Sequence, residues 1–131
     1  MERCLAMTTD SLPIRVLLVD DHRTTLWGLA ELIGEEVPRL ALAGMATNRT
    51  EALRLARAKQ PNVILLDIDL GCDNGFDLIP ELRLACTAHI VILTGLSTPG
   101  LRRRAASLGA SGFVHKEEAA ERIIAAIERA A

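Results

Sequence analysis

Tyrosine is missing from the chain, and its aromatic residues are Trp27, Phe76 and Phe113. A core made with so few rings must be aliphatic, which suits strands buried on both faces of a parallel sheet. Cysteine is scarce too. Cys4, Cys72 and Cys86 are odd in number and lack metal-ligand spacing, which excludes a disulfide framework and fits a reduced, cytoplasmic setting. Cys72 falls in a loop, where an unreactive thiol is expected. No apolar stretch approaches the roughly 20 residues that span a bilayer, so no membrane partner is expected. The opening segment has no signal-peptide core. Residues 1–12 are expected to form a loose tail, with Met7 as an alternative start. An excess of one charge sign is also lacking: the formal net charge is −2, which offers no global basic field for nucleic acid. Arg102, Arg103 and Arg104 form the one dense basic run, expected to be a solvated helix face, with a local partner patch as the alternative.

What is present is a regular alternation. Half of the 131 residues are hydrophobic and about a quarter are charged, as in one globular domain, here assigned to residues 13–131. Ile14–Val19 reads as a strand, and Thr24–Glu35 as a helix with Leu26, Leu29, Ala30 and Ile33 on one face. Pro38 breaks that helix and Leu40–Ala46 is extended. A second helix, capped by Asn48 or Thr47, runs to Lys59 with Ala52, Leu55, Ala56 and Ala58 near its buried side. Val63–Asp67 is the third strand. Gly71 and Gly75 punctuate the loop before a short helix from Phe76 to about Leu84. His89–Leu93 is the fourth strand. Ser97 and Pro99 then open a helix that Gly109 ends, Ser111–His115 is the fifth strand, and Glu117–Ala131 is an Ala-rich helix. Five βα units in this order imply a parallel sheet with helices on both faces.

Ligand and catalytic groups in open α/β sheets collect where the parallel strands end. The first strand ends in Asp20 and Asp21 and the third in Asp67, so three carboxylates converge if those strands are neighbours. Unit charges about 4 Å apart repel by about 4 kcal/mol at an effective dielectric of 20. A hard divalent cation, Mg²⁺ or Mn²⁺, resolves this, because such an ion takes one or two carboxylates and phosphate oxygens for the rest. It would steady Asp67 as a nucleophile and neutralise an arriving phosphoryl group. The fourth strand leads to Thr94, a hydroxyl that can donate to a phosphoryl oxygen. The fifth leads to Lys116, a compact cation able to pair with the phosphorylated carboxylate. His22 is expected to start a helix in preference to ligating a metal.

These stretches, LLVDDH (Leu17–His22), LLDIDLGCDNG (Leu65–Gly75), ILTG (Ile92–Gly95) and GASGFVHK (Gly109–Lys116), resemble the receiver domain of two-component response regulators, in particular the NarL-type branch. The match runs from Ile14 onward, with 46 residues from Asp21 to Asp67, 27 more to Thr94 and 22 more to Lys116. The resemblance implies a flavodoxin-like, doubly wound (βα)₅ fold with a five-stranded parallel sheet of order 2-1-3-4-5. It implies a phospho-acceptor at Asp67, with Asp20, Asp21, Asp67 and the backbone carbonyl of Asp69 as metal ligands. Thr94 and Lys116 would be the switch hydroxyl and the site's cation, and Phe113 the ring that turns inward on phosphorylation. The output surface would lie around the fourth helix, fifth strand and fifth helix; Ala119, Ala120, Ala125 and Ala126 are expected to reflect a simple high-propensity helix, with close packing against a partner as the alternative.

The implied function is a phosphorylation-dependent receiver served by a sensor histidine kinase; Trp27 is expected to lie flat on the core margin, with kinase docking as the alternative. It is a signalling domain rather than an enzyme, though self-phosphorylation from small donors and autodephosphorylation are expected. A homodimer on phosphorylation is a family-level expectation, and DNA would be reached only through an output domain that does not follow here. The chain departs from the family's commoner pattern at Phe113 in place of Tyr, Gly71 in place of Pro, and Glu117 in place of Pro after Lys116. Asp69 is expected to be a solvated loop acid, with an effect of its carboxylate on hydrolysis of the acyl phosphate as the alternative. Two competing functions stand beside this one: a scaffold that binds partners without phosphorylation, and an aspartate-nucleophile phosphatase suggested by DIDLG (Asp67–Gly71).

Overall fold

The computed structural model describes residues 13–70, 73–95 and 99–131, so Cys4, Gly71, Cys72, Ser97 and the N-terminal tail lie outside the described residues. Five strands alternate with five helices: β1 (Ile14–Val19), α1 (Arg23–Gly34), β2 (Leu40–Ala46), α2 (Arg49–Lys59), β3 (Val63–Asp67), α3 (Gly75–Ala85), β4 (His89–Thr94), α4 (Pro99–Ser107), β5 (Gly112–His115) and α5 (Ala120–Ala130). The strands form one parallel sheet of order β2-β1-β3-β4-β5, as expected for a flavodoxin-like fold. A two-stranded antiparallel ribbon, Asp69–Leu70 with Asp73–Asn74, follows β3.

Side chains on a strand point alternately to opposite faces, and here both faces are buried. Leu17, Val19, Ile64, Leu66, Ile90 and Ile92 pack beneath α2, α3 and α4. Val16, Leu18, Val63, Leu65, Val91 and Leu93 pack beneath α1 and α5. The apolar runs of the central strands are continuous for this reason. Each fully buried Leu or Ile stabilises the fold by about 1.5–3 kcal/mol relative to exposure.

Local chemistry sets the element ends. Asn48 caps α2, its side chain accepting from the Glu51 amide, while Glu51 accepts from the Thr47 amide at 2.9 Å. That hydrogen bond from the Thr47 backbone holds the Glu51 carboxyl below its usual range. Gly109, at φ +110°, ends the α4 segment as expected. On α2 the buried side consists of Ala52, Leu53 and Ala56; Leu55 is only partly buried and Ala58 is exposed. The last helix begins at Ala120 instead of Glu117, because a turn intervenes in which the Glu118 amide donates to the His115 carbonyl at 3.0 Å. On that helix Ala126 is buried in the domain's own core, whereas Ala119 and Ala120 face solvent.

Candidate functional site: an acidic pocket at the carboxyl edge of the sheet

β1 and β3 are hydrogen-bonded neighbours in register Val19↔Leu66, so their C-terminal acids meet. Asp20 and Asp67 are each only 2% exposed, and Thr94 is 1% exposed. The Lys116 ammonium reaches in from the end of β5 and lies 3.0 Å from both Asp67 Oδ2 and Asp20 Oδ2. Its backbone amide donates to the Thr94 carbonyl at 2.7 Å, which ties the ends of β4 and β5 together. Asp21 stands at the half-exposed rim. The Asp69 amide donates to Asp67 Oδ1 at 3.1 Å, and the Asp69 side chain is exposed. The structure thus brings Asp20, Asp21, Asp67 and Lys116 together and sets Thr94 at the adjoining strand end.

The electrostatics follow from burial. Desolvation pushes the Asp67 carboxyl up to about 6; the neighbouring Asp20 charge adds to this and the Lys116 hydrogen bond opposes it. Burial works against the Lys116 charge, but its hydrogen bond to Asp67 and its ion pair with Asp20 outweigh that, and the net shift is upward.

Asp20 Oδ2 and Asp21 Oδ1 are buried and accept no hydrogen bond among the described residues. Lys116 and His22 approach these oxygens at 3.0 Å without hydrogen-bond geometry. Buried carboxylate oxygens without such partners are costly, and a hard cation satisfies them. Donor atoms of Asp20, Asp21, His22 and Asp67 all lie within 4.8 Å of one another, so the cluster can hold a metal ion.

His22 is the residue that sequence reasoning placed only in part. It does occupy the N-cap of α1, but its side chain makes no capping bond. Its Nδ1 instead lies 3.0 Å from Asp20 Oδ1, and that hydrogen bond raises the imidazole above its usual range. Gly75 does more than punctuate the loop. A Cβ there would fall 2.5 Å from Ile68 Cα and 2.8 Å from the Asp67 carbonyl oxygen, so only glycine lets α3 start this close behind Asp67. Neither feature had a local sequence signal.

Arg102, Arg103 and Arg104 are all exposed, as expected of a solvated helix face, and two of them also stack: Arg102 lies over the Phe113 ring at 5.2 Å and Arg104 over the Phe76 ring at 4.4 Å. The cis peptide bond among the described residues is Val37–Pro38, so the Lys116–Glu117 bond is trans. Trp27 is 65% exposed.

A doubly wound parallel sheet with a lysine-bridged acidic pocket at its carboxyl edge defines a class of α/β domain, and comparison with known proteins makes it specific. The response regulator receiver domain model matches residues 16–128, and the chain belongs to that family. The transcriptional regulatory protein PdtaR of Mycobacterium tuberculosis is 32% identical over 94% of this chain and 60% of its own length. A LuxR-family two-component response regulator from Aurantimonas superposes with a TM-score of 0.83 at 31% identity, covering 89% of this chain and 84% of that one. A response regulator from Burkholderia pseudomallei, whose structure carries a phosphorylated aspartic acid, a calcium ion and citrate, does so with a TM-score of 0.77 at 33% identity, covering 86% and 65%. Further curated relatives are transcriptional regulators, among them BvgA of Bordetella pertussis at 32% identity over 84% of this chain and 52% of its own length. The chain spans 52% to 60% of the length of such curated relatives. Among the described residues no helix is long and apolar enough to cross a membrane.

Proposed function

We propose that this receiver domain accepts a phosphoryl group on Asp67 from a sensor histidine kinase and converts it into a change of surface. The observation that carries the reading is the placement of Asp67: buried at the end of β3, with one Lys116 ammonium 3.0 Å from both its carboxylate and that of Asp20. With a pKa of about 6, Asp67 is mainly ionised at neutral pH and available as a nucleophile. Its oxygen bonds to phosphorus as the bond to the donor's imidazole nitrogen breaks. Asp20, Asp21, Asp67 and the Asp69 carbonyl would hold Mg²⁺. When bound, the ion neutralises charge on the acids and on the incoming phosphoryl oxygens. Lys116 then pairs with the phosphorylated side chain, and the Thr94 hydroxyl donates to a phosphoryl oxygen.

The magnitudes suffice for a switch. Charge-assisted hydrogen bonds contribute about 1.5–3 kcal/mol each, and moving a population from 1:99 to 99:1 takes about 5.5 kcal/mol. Two contacts, from Thr94 and Lys116, approach that value, with the Phe113 ring following Thr94. Exposed Trp27 on α1 suits docking of the kinase, and Ala119 and Ala120 suit a partner or second copy at the α4–β5–α5 surface. DNA is reached through an output domain like those of the longer relatives.

Incubation with acetyl phosphate and Mg²⁺ followed by intact-mass measurement tests the proposal. One added phosphoryl group in the wild type and none in Asp67→Asn is the expected result. No gain with several small donors and ample Mg²⁺ transfers the weight to a scaffold that works unphosphorylated.

A further inference from the structure

We propose that Arg102 is a positioning residue for Phe113, holding the ring against α4 and so coupling the ring to that helix; the coupling rests on the switch reading above. α4 is the helix with the least apolar anchorage. Its one buried residue is Ala105, whereas α1 buries three residues, α3 five and α5 four. Two guanidinium–ring contacts supply what burial does not: Arg104 lies over Phe76 at 4.4 Å and Arg102 over Phe113 at 5.2 Å. Both phenylalanines of the chain are used in this way.

The two contacts are not equivalent. Phe76 is 4% exposed, and the core fixes its ring with or without Arg104. Phe113 is half-buried beside a groove of about 230 Å³ lined by Ala105, Ala106, Ala110 and Gly112 together with Arg102. Small residues and open space leave room for the ring to turn, so packing alone does not select one rotamer. Among the described residues Arg102 makes no salt bridge, and the ring is its interaction partner. Phe113 pairs with Ile92 in the β4–β5 ladder, so it shares a sheet face with Thr94, two residues further along β4. A ring that moves toward Thr94 must leave the guanidinium, and α4 then loses one of its two ring contacts. Arg102 therefore opposes the inward ring and ties its departure to a loosened α4. Lysine cannot replace it fully, because a planar guanidinium stacks on a ring and an ammonium does not.

The scarcity of aromatics makes this measurable. The full chain labelled with 4-fluorophenylalanine gives ¹⁹F signals from two rings, assigned by Phe113→Leu. Without any phosphoryl mimic, Arg102→Ala is expected to shift the Phe113 signal and leave that of Phe76 in place. The population of the inward ring should rise about two- to fivefold, the effect of losing a surface cation–π contact, with Arg102→Lys in between. Adding beryllofluoride and Mg²⁺ should move the wild-type Phe113 signal to the same inward position. An unchanged Phe113 signal in Arg102→Ala overturns the positioning role. A wild-type Phe113 signal that ignores beryllofluoride, in protein that gains mass from acetyl phosphate, overturns the coupling. Protein that gains no mass fails the phosphorylation reading instead.

Discussion

The two edges of the sheet are built on opposite terms. At the amino edge, polar groups are paired. The Arg15 guanidinium donates to the Gln60 carbonyl at 2.8 Å and to the Lys59 carbonyl at 2.5 Å, closing the end of α2. The Arg15 amide donates to the Asn62 side chain, and the His89 amide to the Asn62 carbonyl. At the carboxyl edge, carboxylates crowd together, and two of their buried oxygens accept no hydrogen bond among the described residues. One edge is arranged for stability. The other gives stability up to keep a reactive acid poised, as strained or crowded groups at functional sites commonly do.

Three further experiments break or sharpen this contrast. The largest effect is expected beneath the reactive edge. Gly75→Ala places a methyl against backbone that cannot swing away, with Ile68 Cα at 2.5 Å. A loss of about 3 kcal/mol in urea denaturation is expected, at the top of the range for overpacking, together with reduced phosphoryl uptake because the Asp67 loop shifts.

Next comes the pH dependence of metal-free protein. Asp67 has a folded-state pKa raised from 3.8 to about 6. The folded state therefore binds the proton more tightly than the unfolded one, and this contribution to stability is lost as pH rises from about 4 through 6. Wild type should lose on the order of 3 kcal/mol across that window relative to Asp67→Asn, and Mg²⁺ should restore it at pH 7. Parallel pH curves for the two proteins would remove the claim that the reactive edge is destabilised by its own acid.

The smallest effect lies at the opposite edge. Arg15→Ala should cost about 1 kcal/mol in the same denaturation assay with phosphoryl uptake unchanged. An equal loss of uptake would show that the two edges are not independent.

Much of this contrast was legible in the sequence, for a physical reason. Strands buried on both faces need unbroken apolar runs, so Val63–Asp67 and the other strand runs stood out, and each run delivered a polar residue at its end. Asp20, Asp67, Thr94 and Lys116 could be read because strand ends in a parallel sheet share one edge. What escaped notice depends on contacts between distant segments. The stacking of Arg102 on Phe113 and of Arg104 on Phe76 leaves no periodicity in the arginine run. The His22 ring was hidden because a helix-start position fixes its backbone and not where its side chain turns. The close approach at Gly75 involves Ile68, across a loop whose path the sequence does not specify.

The bond between the Lys116 amide and the Thr94 carbonyl has an implication for how this chain tolerates changes in length. It locks the two strand ends into one register, so the ammonium and hydroxyl are spaced by a shared backbone rung. A single residue added between Gly112 and Lys116 slips the register by one and sends Lys116 to the opposite face of the sheet. Insertions within β5 are thus expected to be forbidden, a limit set by the β4–β5 backbone ladder and its last rung rather than by the acids it serves.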